Sequence, residues 1–141
     1  FGPNPKRCSN RYNRDGEAAI YFCTTVAGLE AEMSCYQEPE KVPYFAAFSA
    51  IPPDIRVADL TDSSLPPAVH QAFDLAERPD AGVAGHRLAE LIRSLDYQGI
   101  LVPGVRGSPT NQYANLIIFD CGGWETWVDR SISPMLLLTS V

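Results

Sequence analysis

Apolar and polar positions alternate between two periods along this chain. From Ala18 to Thr24 a short apolar run with Ile20, Tyr21 and Phe22 predicts a buried strand. Thr24 or Thr25 then offers an N-cap for a helix from about Val26 to Cys35, on which Leu29, Met33 and Val26 share a face. Glu30 lies near the opposite face and Glu32 at the border, so the fold decides which carboxylate turns inward. Residues 36–43 form a polar, proline-bearing loop. Tyr44 to Ile51 predicts a strand stopped by Pro52-Pro53, and Ile55 to Leu60 a second short one. After a turn at 61–64, Pro67 to Ala76 predicts a helix with proline in its first turn, broken at 77–80.

The clearest amphipathic stretch is Val83 to Leu95. Leu88, Leu91, Ile92 and Leu95 recur at helical spacing, with Arg87, Glu90 and Arg93 on the other side. A turn at Tyr97-Gln98-Gly99 leads into the strand Ile100–Val102, then a loop of Pro and Gly from 103 to 109. Asn115 to Asp120 predicts another strand. Gly122-Gly123 turns the chain into an edge strand at Trp124–Val128, and Met135–Leu138 is a last strand. Strands and helices mix without regular βαβ alternation, which predicts an α+β fold.

At 141 residues the chain is long enough for one domain, 1–141, with its own core, and 20% charged residues against 45% apolar ones place it among globular chains. It opens without Met and reads as a domain excised from a longer chain. A net charge of −6 speaks against general nucleic-acid binding. Lys6, Arg7, Arg11 and Arg14 nevertheless cluster, either as a solvated basic turn or as a seat for a nucleotide's phosphates. No apolar run approaches the roughly 18 residues of a membrane span, and residues 1–10 lack the apolar core of a signal peptide. Cys8, Cys23, Cys35 and Cys121 show no metal-ligand spacing, so no metal is expected. Reduced thiols are favoured, a Cys8–Cys35 bridge being the alternative. Cys23 fits a small buried hydrophobe. These features fit a cytoplasm as the place of action.

Several chemistries drop out. There is no G-x-S-x-G elbow for a serine hydrolase, and no P-loop or dinucleotide fingerprint. His70 and His86 lack a nucleophile context, and His86 fits a surface or packing role. Glu30 and Glu32, two apart on a helix, point to different sides and do not form a glycosidase pair. What remains is Arg11, Tyr21 and Glu32, together with the loop at 103–108.

The ordered set Arg11-Tyr12-Asn13, Gly16, Ala19-Ile20-Tyr21 and Glu32, followed by Gly99-Ile100-Leu101-Val102-Pro103 and Asn115-Leu116-Ile117-Ile118-Phe119, resembles the RES domain family of bacterial toxin–antitoxin systems. The resemblance spans about residues 7–120. It implies an ADP-ribosyltransferase-like mixed sheet with flanking helices, and an enzyme that consumes NAD+ by splitting the nicotinamide–ribose bond through hydrolysis or phosphorolysis. On this resemblance Arg11 holds a phosphate or the adjoining ribose, Tyr21 stacks on nicotinamide, and Glu32 stabilises the developing oxocarbenium ion. Tyr12, Asn13 and Arg106 line the same pocket. The family's serine commonly follows the motif proline, where this chain has Gly104, and Ser108 is the residue that would take its place. From the residues alone, Tyr21 reads first as a core aromatic.

A NAD+-degrading toxin implies a cognate antitoxin or immunity protein as partner, and a role as a resident toxin or a secreted effector. Neither nucleic acid nor membrane is expected as a partner. Two other classes stay open: an ADP-ribosyltransferase acting on a protein or nucleic acid, and a catalytically silent binding module.

Overall fold

The structure is a computed structural model, and it describes residues 11–14, 16–33, 44–78, 80–104, 109–119 and 122–137. Arg106, Ser108, three of the four cysteines and the loop at 36–43 lie outside these residues.

Four strands make the main sheet: β1 (Ala19–Cys23), β3 (Val57–Asp59), β4 (Gly99–Pro103) and β5 (Ala114–Phe119), in the order β1-β5-β4-β3. β5 runs antiparallel to both β1 and β4, and β3 is parallel to β4. β1, β3 and β4 therefore end at the same edge. The parallel pair is joined by a crossover carrying α2 (Pro67–Ala76) and α3 (Ala84–Ser94). A second, two-stranded sheet pairs β2 (Tyr44–Ala46) with β6 (Met135–Leu137). The fold is α+β, as the mixed order of elements predicts.

Both faces of the main sheet are covered, by different means. Ala19, Tyr21, Ala58, Ile100, Ile117 and Phe119 join Val69 of α2 and Leu88, Ala89 and Ile92 of α3 in the main core. The register stacks Tyr21 opposite Ile117, and Ile117 opposite Ile100. The alternate residues, Ile20 and Ile118, face the other way and are covered by Phe22, Trp124 and Trp127.

That second cover explains one failed expectation. Residues Trp124–Trp127 form a 3-10 turn and not an edge strand. In a strand, residues three apart face opposite sides, whereas in a 3-10 helix they eclipse. Only the turn brings both tryptophans onto Ile20 and Ile118. Gly123, at φ 78°, supplies the left-handed residue that starts it, and Thr126 Oγ1 donates to Gly123 O at 2.7 Å.

The strand expected over 44–51 is shorter, ending at Ala46, with Ser49 making a lone bridge to Val128. The helix α1 (Val26–Met33) begins as expected but turns a different face inward. Its buried residues are Gly28 and Glu32, four apart, while Val26, Leu29 and Met33 are only half-buried. The two threonines divide the work at its start. Thr25 Oγ1 accepts from the Gly28 N–H at 2.9 Å as the cap, and Thr24 continues the β1–β5 pairing through its N–H to Ala114 O at 3.0 Å.

Candidate active site

The Arg11-Tyr12-Asn13 segment is tied to β1 through one phenol. Tyr21 donates its hydroxyl to Asn13 Oδ1 at 2.6 Å and accepts from the Tyr12 N–H at 3.2 Å. Asn13 is fully buried, and its amide donates to the Glu17 carbonyl at 3.2 Å, which closes the turn at Gly16. A buried amide with both ends bonded is worth far more than one left open. The segment is further pinned to α3. Arg93 Nη1 pairs with Glu17 Oε2 at 3.3 Å while its guanidinium sits 4.4 Å from the Phe119 ring centre. Arg93 is thus no outward decoration of α3, as its spacing suggests, but a strut.

Tyr12 is buried, and its hydroxyl donates to Glu77 Oε1 at 2.7 Å. Arg11 Nη1 reaches the same oxygen at 3.1 Å, with its side chain 45% exposed. Burial pulls the Arg11 guanidinium down, but Glu77 and Tyr12 outweigh it and hold the net value above the ordinary one. Burial pushes the Tyr12 phenol up, and the bond to Glu77 adds to that. Glu77, at the C-cap of α2, is one partner that local periodicity does not reveal.

Glu32 occupies the other pole. It is 7% exposed on α1, and its Oε1 accepts from the Tyr113 hydroxyl at 2.5 Å and from Asn115 Nδ2 at 3.2 Å. Asn115 lies opposite Cys23 in the register, and Cys23 Sγ donates to Asn115 Oδ1 at 3.1 Å. Burial pushes the Cys23 thiol up to about 12, with the charge of Glu32 acting in the same direction. Tyr113 is 8% exposed.

The structure therefore brings Arg11, Tyr12, Asn13 and Tyr21 into one network, and sets Glu32 with Tyr113 and Asn115. Both lie on one sheet face, because Tyr21 and Cys23 are alternate residues of β1. Gly104 lies where the resemblance expects a serine, and a Cβ there would fall 2.3 Å from the Tyr113 ring. Tyr113, Asn115 and Glu77 are the site residues that spacing did not single out. Asn115 was legible only as part of the strand motif.

A family model for the RES domain matches residues 1–133. No curated protein and no solved structure matches. On the family match, the chain belongs to the RES domain family.

Proposed function

We propose that this domain cleaves the nicotinamide–ribose bond of NAD+, with Glu32 as the carboxylate that stabilises the ribosyl cation. Membership of the RES domain family is consistent with an NAD-related, toxin-like domain. The observation that carries the finer reading is Glu32 itself. It is a carboxylate brought to 7% exposure at the polar end of a packed sheet face, with two side-chain donors aimed at one of its oxygens. Charge in such a site acts at low effective dielectric and needs no reorganisation when the substrate's charge develops.

The bond breaks with its electron pair moving to the ring nitrogen, so nicotinamide leaves neutral and no strong general acid is needed. The sugar is left as an oxocarbenium ion beside the carboxylate. Water adds at the anomeric carbon and releases one proton, which gives ADP-ribose. With inorganic phosphate in place of water the product is the ribosyl phosphate. Arg11, with its guanidinium partly open to solvent, holds a substrate phosphate in exchange for its contact with Glu77. Tyr21, itself only 8% exposed, and Asn13 keep that arginine's segment in place. A domain that drains NAD+ poisons the cell that makes it. A cognate antitoxin or immunity protein that covers the site belongs to the same reading.

The test is NAD+ loss and nicotinamide release by the purified domain, with and without phosphate. Wild type is expected to turn over, Glu32→Gln to lose about a thousandfold in kcat, and Arg11→Ala to raise KM about tenfold or more. Absence of turnover under every condition would sink this reading. Label from NAD+ appearing on a lysate macromolecule would instead identify a transferase.

A further inference from the structure

We propose that Tyr113 is the positioning residue of Glu32: its hydroxyl holds the buried carboxylate in one orientation, and Gly28 and Gly104 form the slot that admits its ring. This rests on the reading of Glu32 given above. The bond itself is short, 2.5 Å. Both partners are less than a tenth exposed, so water competes little for either end.

The ring's place is set by what is missing around it. A Cβ on Gly28 would lie 2.4 Å from Tyr113 Cγ, and one on Gly104 would lie 2.3 Å from Cε2. Real Cβ atoms do not approach so closely, and the obstacle is a buried aromatic ring. The slot thus links α1, which carries Glu32, to the end of β4. The backbone at Tyr113 is fixed as well, since its carbonyl accepts from the Gly104 N–H at 2.9 Å. Gly28 and Glu32 are one helical turn apart on the same face of α1, so the ring that packs on the first delivers its hydroxyl to the second. Asn115 reaches the same Oε1 from β5. Removing the phenol's hydroxyl therefore loosens the carboxylate without stripping it of every donor.

The decisive variant is Tyr113→Phe, which keeps the ring in its slot and removes only the O–H. Two readouts apply. One is the carbon-13 resonance of the Glu32 side-chain carboxyl at one fixed neutral pH, identified by its loss in Glu32→Gln. A hydrogen-bond donor polarises the carboxyl it bonds, so removing the O–H is expected to move that resonance from its wild-type position. The other is NAD+ turnover, with kcat expected to fall about tenfold and KM to stay within about twofold. Gly104→Ala, which leaves Tyr113 present but pushes on its ring, is expected to move the Glu32 resonance as well. An unmoved resonance in Tyr113→Phe would overturn the proposal, as would a moved resonance with unchanged kcat in an active enzyme. Should wild type show no turnover, the activity reading falls by itself, and the resonance alone then decides whether Tyr113 holds Glu32.

Discussion

One end of the helix-covered sheet face, at Ala19 and Phe119, is apolar and joins Val69, Leu88 and Ile92, all of them at most 3% exposed. At the other end of the same two strands the register sets Cys23 against Asn115, and the element that covers them is α1 with Glu32. The strands are continuous, so the difference comes from side chains and from which helix lies on top. At the first end apolar area is removed from water, which is how a core is stabilised. At the second, a carboxylate and a phenol are buried with a half-buried amide and thiol beside them, an arrangement with no gain over an apolar filling of the same shape. On the proposed function such an end is kept for chemistry, and the stability to hold it comes from the other.

The largest effects should separate the two ends cleanly. Leu88→Ala, at the apolar end, is expected to cost about 2–5 kcal/mol of stability, read by urea unfolding, with kcat of the remaining folded protein unchanged. Glu32→Gln is expected to do the reverse: a loss of turnover of about a thousandfold with an unfolding midpoint close to wild type. Equal losses of stability in both variants would mean that Glu32 is a structural group and that the contrast is false.

Much of the apolar end was legible in the chain. The three- and four-residue spacing of Leu88, Leu91, Ile92 and Leu95 marks α3, Pro67 opens α2 where a proline can, and Asn115–Phe119 reads as a strand. These elements follow local rules. The misreadings have one cause, which is that the deciding contact is distant. Trp124 and Trp127 take a 3-10 turn because Ile20 and Ile118 need a cover from the far end of the chain. α1 turns Gly28 and Glu32 inward, against its own apolar stripe, because Tyr113 meets it from a loop 81 residues beyond Glu32. The segment from Arg11 to Asn13 was visible as a unit, yet its partner Glu77 lies 65 residues from Tyr12 and no periodicity joins them. The resemblance supplied the candidate site residues; the structure supplied the groups that hold them.

A middle-sized effect tests where the two ends meet. Tyr21 belongs to the core cluster, but its hydroxyl bonds Asn13, which is fully buried. Tyr21→Phe leaves that carbonyl short of its donor, at an expected cost of about 1–3 kcal/mol measured by unfolding. Turnover should suffer less, and through KM, because the change loosens the segment that carries Arg11 while Glu32 stays in place. A loss confined to kcat, with stability intact, would instead place Tyr21 at the reacting centre and move the boundary between the two ends by one residue along β1.

The smallest effect reports on charge alone. The Cys23 thiol is pushed up to about 12 by burial and by the negative charge of Glu32. A folded-state pKa raised above the unfolded value means that the fold favours the protonated thiol. Its contribution to stability is therefore fully present below about 9 and fades as pH rises toward about 12. In the native protein at about pH 8.5, iodoacetamide should modify the Cys23 peptide far more slowly than in the urea-unfolded chain, by roughly a hundredfold or more on the thiolate fraction. Mass spectrometry of the digest reads this for Cys23 apart from the other cysteines. Glu32→Gln removes the nearby charge, lowers the thiol's pKa and should speed the native reaction several-fold while leaving the unfolded rate alone. That acceleration needs no turnover assay. It would show that the charge of Glu32 reaches Cys23 on β1, as the proposed function requires. A native rate unmoved by the substitution would mean that the polar end is not one electrostatic unit, and that its desolvated groups owe their arrangement to packing alone.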